Sequence, residues 1–145
     1  MNKSAFIDSD IILDLLAQRK SFYDYSAQIF SLAYEKELEL FTTAVAYANV
    51  FYILRKIKGA EETKRQLKNL RLLIKILPVS ENIIDMALNS KFSDLEDALQ
   101  YYAAKENNIL TVITRNAKDY KVKDIVIQSS EEFLKMNQMV NNHVP

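Results

Sequence analysis

Residues 94–113 read DLEDALQYYAAKENNILTVI, an acidic helix start that leads into a short run of apolar, β-branched residues. The apolar residues of the first part recur at helical spacing and predict a helix over 94–106. The apolar run predicts a buried strand over 109–113, and the polar segment 114–116 follows it directly. A helix that leads into a buried strand is the repeating unit of a parallel sheet, so this stretch indicates an α/β fold.

The rest of the chain repeats this alternation of helices and apolar strands. Further strands are predicted over 5–7, 38–42, 74–79 and 124–128. Further helices are predicted over 11–17, 22–36, 44–58, 60–73, 81–89 and 131–139. Helix caps are predicted at Ser21, Thr43, Ser80 and Ser130, and the only glycine, Gly59, is predicted to end a helix. The pattern predicts a three-layer α/β/α architecture with a central, mainly parallel sheet.

The composition is that of one globular domain, since 49% of the 145 residues are hydrophobic and 26% are charged. We predict a single domain over 1–140 and a frayed tail over 141–145, where the lone His143 has no catalytic role. The absence of cysteine excludes disulfides and thiolate metal sites. There is no signal-peptide pattern and no apolar run of membrane-spanning length, so a cytoplasmic protein without membrane contact is expected.

The start of the acidic helix brings like charges together. Asp94 and Asp97 are three residues apart and are predicted to share one helical face, whereas Glu96 is expected to point elsewhere. Acidic residues at a helix start favour the helix dipole, which is a purely structural explanation. Two carboxylates on one face, followed at once by apolar residues, also favour a bound cation.

Oxygen donors from distant parts of the chain are predicted to meet at one edge of the sheet, because ligands of such sheets bind beyond the carboxyl ends of the strands. The candidate catalytic residues are Asp8, Asp94, Asp97, Asn116 and Asp119. None is a histidine or cysteine, so the set suits Mg²⁺ or Mn²⁺, ions that activate water and stabilise the leaving oxygen of a phosphodiester. Without metal, either at least one of these carboxylates is expected to have a raised pKa or the site is expected to be loosely packed.

A basic segment lies on the two helices that adjoin Gly59. Between residues 55 and 75, eight basic residues stand against Glu61 and Glu62. Such clusters bind nucleic-acid backbones, although a solvated pair of amphipathic helices has the same pattern. The candidates for backbone contact are Arg55, Lys56, Lys58, Lys64, Arg65 and Lys68, together with Arg115. Several tyrosines could stack on single-stranded bases, but aromatic residues at helical spacing more often belong to the core.

Four segments, taken in order, resemble the PIN domain, the nuclease fold of VapC-type toxins and related ribonucleases. They are Phe6-Ile7-Asp8-Ser9-Asp10, the helix over 44–54, Asp94-Leu95-Glu96-Asp97-Ala98-Leu99 with Ala103-Ala104, and 114–120. No single motif is very specific, but four in the right order and spacing are considerably more so. The resemblance covers nearly the whole chain. It implies a PIN-like fold and a Mg²⁺- or Mn²⁺-dependent endoribonuclease.

Position by position, the resemblance implies that Asp8 and Asp97 bind the metal, with Asp94 as a supporting carboxylate. Asn116 and Asp119 match the last polar cluster of the family. All five are implied to act in catalysis.

Three further positions are assigned to the positioning of water or ligand. Thr114 matches a hydroxyl that helps to orient the last polar cluster, and Asp10 replaces what is usually an asparagine. Asn49 stands where most members carry a glutamate, and its amide contributes no negative charge. The predicted site therefore has less charge with which to hold a second ion.

The leading hypothesis is a metal-dependent ribonuclease that hydrolyses phosphodiester bonds of single-stranded RNA. The resemblance also implies the toxin of a toxin–antitoxin pair, with a small antitoxin protein as partner and a homodimer. An alternative, favoured by Asn49, is a catalytically weakened PIN-like module that binds RNA or a protein partner. A phosphatase with paired Asp8 and Asp10 is a weaker alternative, because Ile11 and Ile12 follow where a hydroxyl residue is needed.

Overall fold

Five strands alternate with seven helices along residues 3–142, the part of the chain that this computed structural model describes, with backbone alone at 140–142. The strands are β1 (Lys3–Ile7), β2 (Leu38–Thr43), β3 (Ile74–Leu77), β4 (Thr111–Ile113) and β5 (Val126–Gln128). The helices are α1 (Ser9–Leu16), α2 (Tyr23–Tyr34), α3 (Ala44–Lys58), α4 (Ala60–Leu70), α5 (Glu81–Leu88), α6 (Leu95–Glu106) and α7 (Ser130–Asn142). A short 3-10 helix, Ala117–Asp119, lies between β4 and β5.

All five strands are parallel and lie in the order β3-β2-β1-β4-β5. Phe6 of the central strand β1 pairs with Phe41 of β2 on one side and with Val112 of β4 on the other. The chain first moves outward from β1 to β2 and β3, and then returns to β4 and β5 on the opposite side. The direction of winding therefore changes between β1 and β4, and a crevice opens at the carboxyl ends of such strands.

Side chains alternate across the sheet, so β1 contributes to two separate cores. Ala5 and Ile7 pack into a core that α1, α2, α3, α4 and α7 cover. Phe6 packs into the opposite core, which α5 and α6 cover. All three side chains are completely buried. The predicted three-layer α/β/α fold with a parallel sheet is confirmed.

Three of the predicted helix boundaries are confirmed by their capping bonds. The Thr43 hydroxyl accepts the backbone N–H of Ala46, and the Ser80 hydroxyl accepts that of Ile83, each at 3.3 Å. Gly59 ends α3 with a φ of 82°, in the left-handed region that favours glycine. These local signals therefore set the boundaries of α3 and α5.

The caps predicted at Ser21 and Ser130 are wrong. Phe22 precedes α2 and makes no side-chain capping bond, while Ser21 has a φ of 76° in the preceding turn. Ser129 caps α7: its hydroxyl accepts the N–H of Glu132 at 3.1 Å, and the Glu132 carboxylate accepts the N–H of Ser129 at 3.0 Å. This reciprocal pair is a capping box. The Ser130 hydroxyl is buried without a hydrogen-bond partner.

Several element ends also differ from the prediction. The helix α4 ends at Leu70 rather than near residue 73, because a turn precedes β3. The strands β3, β4 and β5 are each two residues shorter than predicted. The helix α7 continues to Asn142 rather than ending at 139, and the rest of the predicted tail, including His143, lies outside the described residues. No helix within residues 3–142 is long and apolar enough to cross a membrane.

Candidate active site

The carboxylate of Asp8 lies where β1 ends, beside the point at which the winding of the sheet changes direction. Its Oδ1 accepts the backbone N–H of Ser9 at 2.6 Å, so Asp8 is also the N-cap of α1. Its Oδ2 accepts the hydroxyl of Thr114, at the end of β4, at 2.8 Å. Asp8 and Thr114 are 4% and 0% exposed. The carboxylate is therefore held by both strands that flank the switch point.

Two backbone N–H groups order the segment after β4, one through a bond within the segment and one through a bond to α1. The N–H of Asn116 donates to the Thr114 hydroxyl at 3.1 Å, and the N–H of Arg115 donates to Asp10 Oδ2 at 3.3 Å. The other oxygen of Asp10, Oδ1, is buried without a hydrogen-bond partner. Burial, and then the charge of Asp8, raise the pKa of Asp10 to about 7.

The N-terminus of α6 brings a second pair of carboxylates to the same edge. Asp94 is the N-cap, and its Oδ1 accepts the N–H of Asp97 at 2.9 Å. The Asp97 side chain is 8% exposed, and its Oδ1 accepts the hydroxyl of Tyr120 at 3.4 Å. Burial, followed by the charges of Asp8 and Asp94, raises the pKa of Asp97 to about 7. This is the direction expected for a carboxyl that is buried next to like charges.

Glu96 lies inside this cluster, so the prediction that it points elsewhere is wrong. Its Oε1 accepts the hydroxyl of Ser9 at 3.2 Å and the side-chain amide of Gln100 at 3.3 Å. Its Oε2 accepts the side-chain amide of Asn49, on α3. Burial and the neighbouring charge of Asp8 raise the pKa of Glu96. Glu96 therefore belongs to the site, and it contacts the position where an acidic residue was expected.

A buried ion pair, which the sequence analysis did not identify, supports the loop after β4. Asp14 on α1 is 1% exposed, and its Oδ2 lies 3.2 Å from Arg115 Nε. Arg115 Nε forms no hydrogen bond with the described residues, so the contact is one of charge. The Arg115 guanidinium also lies 4.3 Å from the centre of the Phe22 ring. Arg115, which the sequence analysis named as a candidate for contact with a nucleic-acid backbone, thus has a partner within the protein.

The sequence model described as PIN domain matches residues 4–118, which is most of the chain. The chain belongs to the PIN domain family. The resemblance inferred from the sequence is thereby confirmed, and the observed three-layer α/β/α fold agrees with it.

This PIN domain is similar to Ribonuclease VapC1 of Aquifex aeolicus, with 26% identity over 137 residues that cover 91% of this chain and 94% of that protein. It is also similar to the solved structure of VapBC2 from Rickettsia felis bound to a DNA fragment from its promoter (TM-score 0.65, 17% identity, 87% of this chain and 98% of that one). A third similar structure is a toxin–antitoxin complex from Klebsiella pneumoniae (TM-score 0.62, 21% identity, 85% of this chain and 99% of that one). The two structural likenesses concern the fold.

Two of the predicted catalytic residues have exposed side chains that do not contact the carboxylate cluster by a hydrogen bond or an ion pair. Asn116 is exposed and lines a cavity of about 470 Å³ together with Phe22 and Tyr25. Asp119 is exposed and lines a different cleft, next to Phe92. Among the described residues, neither side chain forms a hydrogen bond or an ion pair with the carboxylate cluster. Their catalytic roles stay predictions.

The basic residues of α3 and α4 differ in whether their side chains contact other residues of the protein. Arg65 pairs with Glu62, and Lys58 donates to Gln66 at 3.2 Å. Arg55 lies 4.9 Å from the centre of the Tyr52 ring. Lys56, Lys64 and Lys68 are exposed. The exposed lysines are the members of this group most available to a polyanion.

The residues of the cluster fit an oxygen-ligated divalent cation. Over residues 3–142, no three acidic or histidine side chains converge closely enough to enclose an ion. Mg²⁺ does not require that, since one or two carboxylates and several waters are its usual ligands. The buried carboxylate of Asp97 and the unpartnered Oδ1 of Asp10 are what such an ion would satisfy. Their raised pKa values have the same two causes, first burial and then the neighbouring negative charge of Asp8.

Proposed function

We propose that this PIN domain is a metal-dependent endoribonuclease that cleaves single-stranded RNA and is the toxin of a toxin–antitoxin pair. The observation that supports this most strongly is the set of crowded carboxylates around Asp8, at the switch point of a parallel sheet, none of which forms an ion pair among the described residues. The similarity to a protein named a ribonuclease, over nearly the full length of both chains, supports the choice of substrate.

Asp8 and Asp97 would hold one Mg²⁺ or Mn²⁺ ion in this proposal. Such an ion, when bound, supplies a Lewis acid that activates water and stabilises the leaving oxygen of a phosphodiester. Thr114 fixes the orientation of Asp8 through its 2.8 Å hydrogen bond. Tyr120 holds Asp97 in the same way, at 3.4 Å. The two carboxylates are thus oriented before any ligand arrives.

The remaining polar residues would hold water or further ligands. Asn49 donates its amide hydrogen to Glu96, so its carbonyl oxygen is the atom left for water. Asp10 and Asp94 add negative charge next to Asp8 and Asp97. Asn116 and Asp119 can take part only if bound substrate or metal lies between the carboxylates and the exposed loop after β4.

The RNA backbone is proposed to follow the exposed lysines of α3 and α4. Among the candidate stacking residues, Tyr52 is 56% exposed, whereas Tyr101 is only 6% exposed and packs in the core. Tyr25 lines the cavity that Asn116 also lines. A single strand fits this arrangement better than a duplex, because base stacking needs unpaired bases.

A small antitoxin protein is proposed as the partner, in the groove beside the acidic cleft. Ile53 and Ile57 on α3 are 44% and 67% exposed, so this helix presents apolar surface that a partner could cover. A homodimer through exposed apolar helix faces is proposed as well. The solved structures that this chain resembles include a toxin–antitoxin complex, which supports a protein partner of this kind.

Mn²⁺ binding by calorimetry, followed by RNA cleavage on the same samples, tests the proposed activity. The variants are Asp97→Asn and, as a matched control, Asp85→Asn on the exposed face of α5. We expect the wild type and Asp85→Asn to bind Mn²⁺ and to cut a single-stranded RNA, and Asp97→Asn to lose both properties. Mn²⁺ binding that does not depend on Asp97, together with intact RNA in every sample, would remove the nuclease proposal.

A catalytically weakened module is the second candidate, because Asn49 brings an amide rather than an acid to the site. Cleavage by the Asn49→Glu variant, compared with the wild type, distinguishes the two. Activity that appears only in Asn49→Glu would favour the weakened module, whereas activity in the wild type would exclude it.

A further inference from the structure

The carboxylate of Glu96 is held by hydrogen-bond donors from three different helices. Ser9 belongs to α1, Asn49 to α3 and Gln100 to α6, and each donates to one of its two oxygens. These helices lie on both faces of the sheet, so the carboxylate sits where they meet at the sheet edge. Three donors fix its position more firmly than a single exposed bond would.

All three donors are neutral, and Glu96 takes part in no ion pair among the described residues. Neutral donors orient a carboxylate without cancelling its charge. A half-buried negative charge beside Asp8 is costly unless a cation comes to it. The Glu96 carboxylate is therefore oriented to bind a cation that the described residues do not supply.

Gln100 provides a second, independent indication that a ligand binds next to Glu96. Its side chain is completely buried, and its amide nitrogen lies 3.3 Å from Glu96 Oε1. The oxygen of the same amide is buried without a partner. Buried polar atoms of this kind are nearly always satisfied, so an unpaired one indicates a missing water or ion.

We propose that Glu96 contacts the divalent cation through one bound water, and that it supplies from α6 the negative charge that Asn49 does not supply from α3. The inference rests on the proposed metal-dependent function. Glu96 lies outside the direct ligands Asp8 and Asp97 in this arrangement, because no three acidic side chains among residues 3–142 converge closely enough to enclose an ion. In this arrangement Asn49 is a positioning residue, because its amide aims the Glu96 carboxylate.

Calorimetric titration with Mn²⁺ tests this assignment without relying on activity. We expect Glu96→Gln to weaken Mn²⁺ binding by about tenfold or more, in line with losses seen when supporting ligands are removed. Glu106→Gln, an exposed residue at the other end of α6, is the matched control and should bind like the wild type. The melting temperature without metal, compared between Glu96→Gln and Glu106→Gln, shows whether a loss of Mn²⁺ binding comes from unfolding.

The exchanged variant Asn49→Glu/Glu96→Gln keeps an amide–carboxylate pair between α3 and α6 and restores the lost charge. We expect it to recover most of the Mn²⁺ affinity that Glu96→Gln loses. If Glu96→Gln binds Mn²⁺ as tightly as the wild type while Asp97→Asn does not bind, Glu96 is only structural and the nuclease proposal stands. If the wild type binds no Mn²⁺ and cuts no RNA, both proposals fail together.

Discussion

The hydrogen bond from Thr114 to Asp8 is the residue-scale contact on which the site depends most directly. Thr114→Val removes the hydroxyl and keeps the shape of the side chain, which leaves a buried carboxylate oxygen without its donor. We expect a loss of about 2 kcal/mol in the free energy of unfolding, as for hydrogen bonds to charged groups. Chemical denaturation measures this loss, and calorimetry should show several-fold weaker Mn²⁺ binding.

Thr42→Val is the matched control, because Thr42 is equally buried and its hydroxyl donates to the backbone oxygen of Ile7 at 2.9 Å. It should cost about 1 kcal/mol, the usual value for a neutral bond, and it should leave Mn²⁺ affinity unchanged. Equal effects of the two substitutions on Mn²⁺ affinity would mean that Thr114 stabilises the fold without orienting Asp8.

Asp8, Thr114 and Asp97 lie at one edge of the sheet, where the sequence predicted them, but the sequence did not place Glu96 there, for a geometric reason. The prediction counted helical positions from Asp94, but Asp94 is the N-cap and has extended backbone angles (φ −112°, ψ 121°). The spacing rule for shared helical faces does not apply across a cap. The pairing of Arg115 with Asp14 was also beyond the sequence, because it joins residues that only the tertiary fold brings together.

At the scale of elements, the start of α7 offers a comparison between adjacent serines. Ser129→Ala removes the hydroxyl of the capping box and should destabilise the protein by about 1 kcal/mol. Ser130→Ala removes a buried hydroxyl that has no partner, so stability should change by less than about 0.5 kcal/mol or rise slightly. Thermal or chemical unfolding of the two variants measures the difference. A larger loss in Ser130→Ala would show that Ser130, as the sequence suggested, is the cap.

Element types were more predictable than element ends, and the reason differs from case to case. Every predicted strand exists, because apolar β-branched runs are buried on both faces of a parallel sheet. The ends of β4 and β5 depend on which residues of each strand find a partner, which the sequence does not encode locally. Ser21 and Ser130 each lie one residue from the observed N-cap, which is Phe22 for α2 and Ser129 for α7, and at α7 two adjacent serines compete for the role.

At the scale of the whole molecule, charge distribution makes a testable difference. The chain has 19 basic and 19 acidic residues, so any attraction for RNA must come from local surface rather than net charge. Lys64→Gln/Lys68→Gln should weaken RNA binding and reduce the slope of log affinity against log salt by about 0.7 for each lost phosphate contact. Mn²⁺ affinity should not change.

Lys36→Gln/Lys135→Gln removes the same charge from exposed lysines outside α3 and α4 and is the control for this experiment. RNA binding by the control should match the wild type. Equal weakening in both double variants would show that RNA is held by general electrostatics and that the helices α3 and α4 do not form a defined path.

The hydrogen bond between Asp8 and Thr114 joins residues that are 106 positions apart in the chain. During synthesis the first three strands can pair with one another long before β4 emerges from the ribosome. A nascent chain therefore carries Asp8 without its hydroxyl donor, and also without the carboxylates of α6, until most of the protein has been made. In the proposed ribonuclease, this order of assembly would keep the growing polypeptide inert while its own messenger is still being translated.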